Sequence, residues 1–306
     1  MAGRNAKRKS TANPELGDED EISPSTSESS DGFGSESDKE KDPEDDDIVN
    51  IDFEFFDPAE IDFHGLKSLL RTFLDGEDFS CSELVDTIIK QSTVGTTVKT
   101  SEEDDPIGVI TALNIQRYHK LSCLKEVCQF LLKQCQDEQL KAKLQEVWDQ
   151  AGTGLIVSER LINCPPQLAS PLQHALFDEE IPWATEDEPS EELRNSYKFE
   201  RFLFISRVYQ DTMGPPQPGG HGKKQKGGRQ PPTMVYARPE DEFYHRHSTW
   251  SYSFPVTSRP VQKDELQPLR LVMLLTPDQA ATARKELYRV VGNAALGQEA
   301  AGASQA

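Results

Sequence analysis

The chain has 306 residues and a formal net charge of −20, from 33 basic and 53 acidic residues. That length accommodates one large domain or two small ones. So large an acid surplus repels DNA and RNA on average, because phosphate binding draws on clustered Lys and Arg, and it favours basic protein partners. No apolar run reaches 18 residues, so no membrane span is expected. Five cysteines, few and odd in number, speak against a disulfide framework and for a reducing compartment.

The N-terminus, Met1 to Lys9, lacks the apolar core of a secretory signal. Its basic cluster, Arg4, Lys7, Arg8 and Lys9, is a candidate nuclear address, with a plain basic tip as the alternative. Residues 1–47 hold 15 acids and 6 bases, a balance of −9, which leaves −11 for the remainder. Residues 10–47 are rich in Ser, Glu, Asp and Gly. They bury too little surface to offset an ordering cost of roughly 1–2 kcal/mol per residue, so a disordered leader is expected. Acids lie three residues after Ser25, Ser35 and Ser37, which makes these serines phosphorylation candidates, each adding about −1.5 to −2 charge.

Order is expected to begin at residue 48. The acidic run through Asp45, Asp46 and Asp47 passes directly into Ile48-Val49-Asn50-Ile51-Asp52-Phe53-Glu54-Phe55-Phe56, where Ile51, Phe53 and Phe55 share one face of a strand. Asp45, Asp46 and Asp47 in the leader, and Asp52, Glu54 and Asp57 on the folded surface, are candidate contacts for a basic client. Asp57-Pro58-Ala59-Glu60 reads as a helix start, and Leu66, Leu69, Leu70, Phe73 and Leu74 follow at helical spacing up to Gly76. Ser80 and Glu83 form a possible capping box for a second helix with Leu84, Val85, Ile88 and Ile89.

Residues 95–100 and 107–113 read as a hairpin around an acidic loop. Ser122 is the expected cap of a helix carrying Leu124, Val127, Cys128, Leu131 and Cys135, and Leu140, Leu144, Val147 and Trp148 mark the next. Leu155-Ile156-Val157 is a short candidate strand, and Leu168, Leu172 and Leu176 define another helix. Residues 199–209 are apolar on both faces, the pattern of a strand within a covered sheet. The Gly- and Pro-rich stretch 211–232, with Lys223, Lys224, Lys226 and Arg229, reads as a flexible basic insertion. A strand at 249–256, a strand at 269–275 and a helix from Pro277 to about Val291 close the domain, and residues 293–306 are expected to fray. The order predicts a single α/β domain over 48–292 with a mixed central sheet covered by helices on both faces.

Reacting groups are scarce. Gln217-Pro218-Gly219-Gly220-His221-Gly222 matches the Q-x-x-G-x-G pattern with which acetyltransferases hold a coenzyme A pyrophosphate, but the lysine- and glycine-rich residues that follow suit no helix. Chance explains the match. His245 and His247 would share one side of a strand, without the further ligands that a metal site needs. Cys123, Cys128 and Cys135 lack metal-ligand spacing, and helix periodicity explains Cys128 and Cys135 as core. G-x-S-x-G, Walker A and HExxH patterns are absent. No catalytic, cofactor or metal residue is assigned.

The segment Ile48 to Phe56 belongs to a wider pattern with Leu66-Lys67-Ser68-Leu69-Leu70, Gly95-Thr96-Thr97-Val98-Lys99, Ile110-Thr111-Ala112-Leu113-Asn114, Phe204-Ile205-Ser206-Arg207 and Pro268-Leu269-Arg270-Leu271-Val272-Met273-Leu274. In this order, from about 48 to 291, these segments resemble the BCCIP family, whose fungal member is called Bcp. The leader, the wording of 211–232 and the alanine-rich tail depart from it. The resemblance implies a fold related to the GCN5-related acetyltransferase superfamily but without its phosphate loop or its chemistry. It also implies a non-catalytic nuclear adaptor without a cofactor. Family roles include cell-cycle control through a cyclin-dependent-kinase inhibitor, homologous-recombination repair through a breast-cancer-susceptibility protein, spindle-pole or microtubule organisation, and handling of a large-subunit ribosomal protein. The rival readings are a cryptic coenzyme A-dependent acyltransferase using Gly220 and Gly222, and a nucleic-acid binder acting through residues 223–229.

Overall fold

Alternation within the strands decides the architecture. The computed structural model describes residues 52–91, 93–210, 233–258, 262 and 265–303, with side chains to residue 290. Its strands are β1 (Glu54–Phe56), β2 (Thr96–Lys99), β3 (Gly108–Asn114), β4 (Thr153–Arg160), β5 (Arg201–Gln210), β6 (Met234–Tyr236), β7 (Trp250–Pro255) and β8 (Gln267–Leu275). They form one sheet in the order β1-β2-β3-β4-β5-β8-β7, with β6 paired to β5 off this path. Only β4 and β5 run parallel; the other pairings are antiparallel.

Successive side chains of a strand point to opposite faces, so a strand apolar at every position needs cover on both. Leu155, Val157, Leu203, Ile205, Val272 and Leu274 enter one core cluster, whereas Ile156, Phe202, Phe204, Leu271 and Met273 enter the other. The first face is covered by α1 (Phe63–Leu70), α2 (Cys81–Lys90), the single turn α3 (Ile115–Tyr118), α4 (Ser122–Gln134) and α5 (Glu138–Asp149). The second is covered by a continuous helical run over residues 166–186, which includes α6 (Ala169–His174), a π turn (Ala175–Glu180) and α7 (Ile181–Glu186). The short α8 (Glu191–Ser196), α9 (Glu240–His247) and α10 (Pro277–Ala303) complete that layer. The mixed sheet with helices on both faces is the predicted fold class.

Several local expectations fail for definable reasons. Asp57 caps no helix: the first turn is a 3₁₀ turn over Glu60–Asp62, and the Asp62 carboxylate accepts from the Ala59 amide at 2.9 Å. Ser80 and Glu83 do not close a capping box. The Ser80 amide donates to Glu126 of α4 at 2.6 Å, while Glu83 accepts from the Cys123 amide at 2.8 Å. Each helix therefore satisfies the other's N-terminal amide, a tertiary clasp that local pattern does not encode. Leu121, not Ser122, occupies the N-cap of α4. Strand β4 extends well beyond Leu155-Ile156-Val157, because Thr153, Gly154, Ser158 and Glu159 are buried along with them. His245 and His247 lie on α9, not on a strand. Finally, α10 continues past residue 293 to Ala303, through a stretch with five alanines and no proline, although Gly297 and Gly302 interrupt it.

Candidate functional site

Of the acids proposed as client contacts, Asp52 and Asp57 are exposed and flank β1, and Glu54 sits half-buried in β1 opposite Lys99. They lie together along one end of the sheet, where β1 pairs with β2. Arg4, Lys7, Arg8, Lys9, Ser25, Ser35, Ser37, Asp45, Asp46 and Asp47 lie outside the described residues, as do Gly220, Gly222 and the basic stretch 223–229. The two histidines do not converge. His245 bonds the Tyr236 hydroxyl at 2.7 Å and Ser251 at 3.0 Å, and burial pulls its pKa down; His247 faces Glu286 at 3.0 Å. Among the described residues, no cluster of His, Cys, Asp and Glu could hold a metal ion.

The one parallel pair in the sheet separates along its length. β4 pairs with β5 only from Thr153 to Ile156, against Arg201 to Phe204; further on, β6 takes over, pairing with Val208 to Gln210. Charged side chains occupy the place where the strands part. Arg160 of β4 pairs with Glu240 of α9 at 2.7 Å, both nearly inaccessible. Asp241 of α9 accepts from Arg238 at 2.9 Å and from the Ser206 hydroxyl of β5, and Arg238 also donates to the Ile205 carbonyl at 3.2 Å. Leu161, Ile162, Tyr209 and Pro239 border a cleft of about 250 Å³ beside these pairs. A wedge filled with buried ion pairs holds α9 and β6 against the sheet. It presents no described nucleophile poised beside a general base.

A second buried network begins on β8. Arg270, only 1% exposed, donates through Nε to Asp75 Oδ1 at 2.5 Å and through a terminal nitrogen to the Thr72 carbonyl at 2.6 Å. Its other terminal nitrogen lies 3.8 Å from Glu159, which Arg207 approaches at 3.6 Å. Asp75 belongs to the turn after α1, where Asp75 (φ 59°) and Gly76 (φ 84°) both adopt left-handed backbone. Aspartate tolerates that conformation better than most residues, and glycine does so freely. Asp75, Glu77 and Asp78 of this turn line a cleft of about 480 Å³, whose other walls are Phe130 and Gln134 of α4 and the segment from Phe254 to Ser258. Sequence reasoning read Gly76 as a helix stop and passed over its acidic neighbours. The available signal was Arg270, a lone cation in an otherwise apolar strand, which demands a buried acid somewhere in the fold.

No described helix is long and apolar enough to cross a membrane. Comparison with known proteins matches residues 48–244 to the BCCIP family model. The chain is 38% identical to the protein BCCIP homolog of Arabidopsis thaliana, over 76% of this chain and 71% of that one. It is 34% identical to protein bcp1 of Emericella nidulans, over 74% of each. The crystal structure of BCP1 from Saccharomyces cerevisiae superposes with a TM-score of 0.55 at 23% identity, covering 81% of this chain and 93% of that one, which shows a shared fold. Family model, identity and coverage agree, and this chain belongs to the BCCIP family.

Proposed function

We propose that the protein is a non-catalytic adaptor or chaperone that screens basic segments of client proteins. The observation that carries this reading is where its charge resides. Each deeply buried cation is matched by a carboxylate: Lys99 by Asp62, Arg160 by Glu240, Arg238 by Asp241 and Arg270 by Asp75. These pairs cancel, so apart from the buried acids Glu159 and Glu180 the surplus behind the net charge of −20 lies outside the described core. Such a field steers and screens positive partners, and weakens as salt is added.

Within this reading, family membership favours the finer roles that the resemblance implies. These are a nuclear protein, partly at spindle poles, that binds a cyclin-dependent-kinase inhibitor, a breast-cancer-susceptibility recombination protein and a large-subunit ribosomal protein. Arg4, Lys7, Arg8 and Lys9 would supply the nuclear address, and Ser25, Ser35 and Ser37 would add charge when phosphorylated. Asp45, Asp46, Asp47, Asp52, Glu54 and Asp57 would meet the client. Binding of a fluorescein-labelled basic client segment, measured between 50 and 300 mM salt, tests the mechanism: affinity should fall steeply, and a flat response would refute it. For the acyltransferase alternative, titration calorimetry with acetyl coenzyme A should give no saturable heat.

A further inference from the structure

The sheet ends at β1 on one side and at β7 on the other, and the two ends differ in how they are guarded. An unpaired strand offers its outer N–H and C=O groups to any extended chain, and proteins blunt such edges with short strands and charges. β1 has three residues and lies among Asp52, Glu54 and Asp57. β7 has six, and no charged residue occurs from Thr249 to Ser258. The Val256 amide donates to the Pro268 carbonyl at 3.0 Å, and the register continues with Phe254 opposite Arg270 and Tyr252 opposite Val272. Backbone groups alternate sides along an antiparallel strand, so those of Ser251 and Ser253, and the Pro255 carbonyl, turn away from β8. Among the described residues, none of these outward groups has a backbone partner. Pro255 fits this phase, since an edge strand tolerates proline where its N–H would face outward.

We propose that the outer edge of β7 receives an extended client segment as an added strand, with basic residues at every second position. The inference rests on the basic-client reading above and locates it. Side chains of an added strand alternate between the two faces of the sheet. On one face they lie beside Trp250 and Tyr252, half-buried rings stacked with centroids 6.3 Å apart. Further along the same face they reach the cleft where Phe254 and Pro255 meet Glu77 and Asp78. Both acids are exposed, and Lys133 approaches Glu77 at 3.5 Å. Aromatic faces and carboxylates together favour Lys or Arg at those positions. The other face presents the Ser251 and Ser253 side chains, which suit small or polar neighbours. A second copy of the chain offers the same backbone groups, but a charge of −20 on each copy opposes that pairing.

The test uses the full-length protein and short fluorescein-labelled peptides, followed by anisotropy at low salt. One peptide alternates Lys or Arg with Thr or Val; a second has the same composition with its basic residues in one block. The alternating peptide should bind more tightly. N-methylation of its alternate amides should abolish binding in one phase and spare it in the other, because only one set of N–H groups faces β7. Ser253→Pro removes an outward donor while sparing the bonds to β8, and should weaken binding by about tenfold, as loss of a hydrogen bond implies. Ser253→Ala, which keeps that donor, should alter it less than twofold, and Glu77→Gln with Asp78→Asn should weaken it by several-fold. Equal affinity of the two methylated peptides, or parental binding by a folded Ser253→Pro, shows that the edge is not the site, although the basic-client reading stands. The methylated peptides need no variant and decide the matter if Ser253→Pro folds poorly. Equal affinity of the alternating and block peptides overturns the spacing. A parent dimer in sedimentation that Ser253→Pro makes monomeric assigns the edge to a second copy instead. Failure of the parent protein to bind either peptide overturns both readings.

Discussion

Arg270→Met tests whether the buried network holds the sheet to the first helical layer. The substitution keeps most of the side-chain length but removes every donor. Arg207 also reaches Thr72, at 2.6 Å from its hydroxyl, and lies 3.6 Å from Glu159, so those two groups keep a partner. Asp75 does not, since its carboxylate accepts from Arg270. Breaking a buried pair by removing one member costs about 3–5 kcal/mol, and the retained contacts of Arg207 place this case near the lower end. For a domain of this size, about 3 kcal/mol lowers the melting temperature by roughly 6–12 °C. The loss should also depend on pH. Burial already raises the folded pKa of Asp75, and removing Arg270 takes away the main influence that lowers it. An acid with a raised folded pKa contributes its stability at low pH and loses it as pH rises through that value. The gap between Arg270→Met and the parent should therefore be widest at pH 7 and narrow towards pH 4.5. Thermal unfolding followed by circular dichroism at both pH values reads this directly, and Arg270→Met with Asp75→Asn should regain more than half of the neutral-pH loss. An equal gap at both pH values, or simple addition of the two single losses, would refute the account.

Gly65→Ala on α1 would place a methyl group 2.5 Å from Pro106 Cδ and 2.9 Å from the Asp105 carboxylate. The clash should outweigh the helix-propensity gain of up to about 1 kcal/mol, giving a net loss of about 1–2 kcal/mol in urea unfolding. Tyr252→Phe removes the hydroxyl that donates to the Leu131 carbonyl at 3.0 Å, and should lower stability by about 1 kcal/mol without changing the denaturant slope. Burial pushes the Cys123 and Cys128 thiols up to about 12, so neither should react with Ellman's reagent at pH 8 within minutes. Half-exposed Cys164 should react first, and all five in guanidinium.

Periodicity made the layers legible. Leu84, Val85 and Ile88, or Leu124, Val127 and Leu131, name their own buried faces, and the doubly apolar run 202–205 announces a covered strand. Strand β4 was harder to see, because Thr153, Ser158 and Glu159 interrupt its apolar pattern and are buried through partners distant in sequence. The Thr153 hydroxyl donates to the Val147 carbonyl, and Glu159 meets Arg207 and Arg270. Helix caps misled for a related reason. Ser80 and Glu83 have the spacing of a local box, yet an acid on α4 outcompetes the local geometry. The histidines changed element because Glu240, Asp241 and Glu242 provide an acidic first turn and His245, Arg246 and His247 a basic last one, a helix-dipole pattern stronger than their strand-like spacing. The cleft acids were invisible as a group, since Phe130 and Phe254 reach them only through the fold.

Asp75 joins the buried charge of β8 to the turn after α1. Three further buried acids answer to a cation within the domain: Asp62 to Lys99, Glu240 to Arg160 and Asp241 to Arg238. Asp75 gives one oxygen to Arg270, while the other is buried without a hydrogen-bond partner among the described residues. The left-handed turn at Asp75 and Gly76 needs a constraint from outside the turn, because a side chain at Asp75 disfavours that backbone. Arg270 supplies that constraint, because its bonds to Asp75 and to the Thr72 carbonyl tie both ends of the turn to β8. The buried pair therefore fixes the direction of Asp75 and, with it, the turn that leads from α1 towards α2.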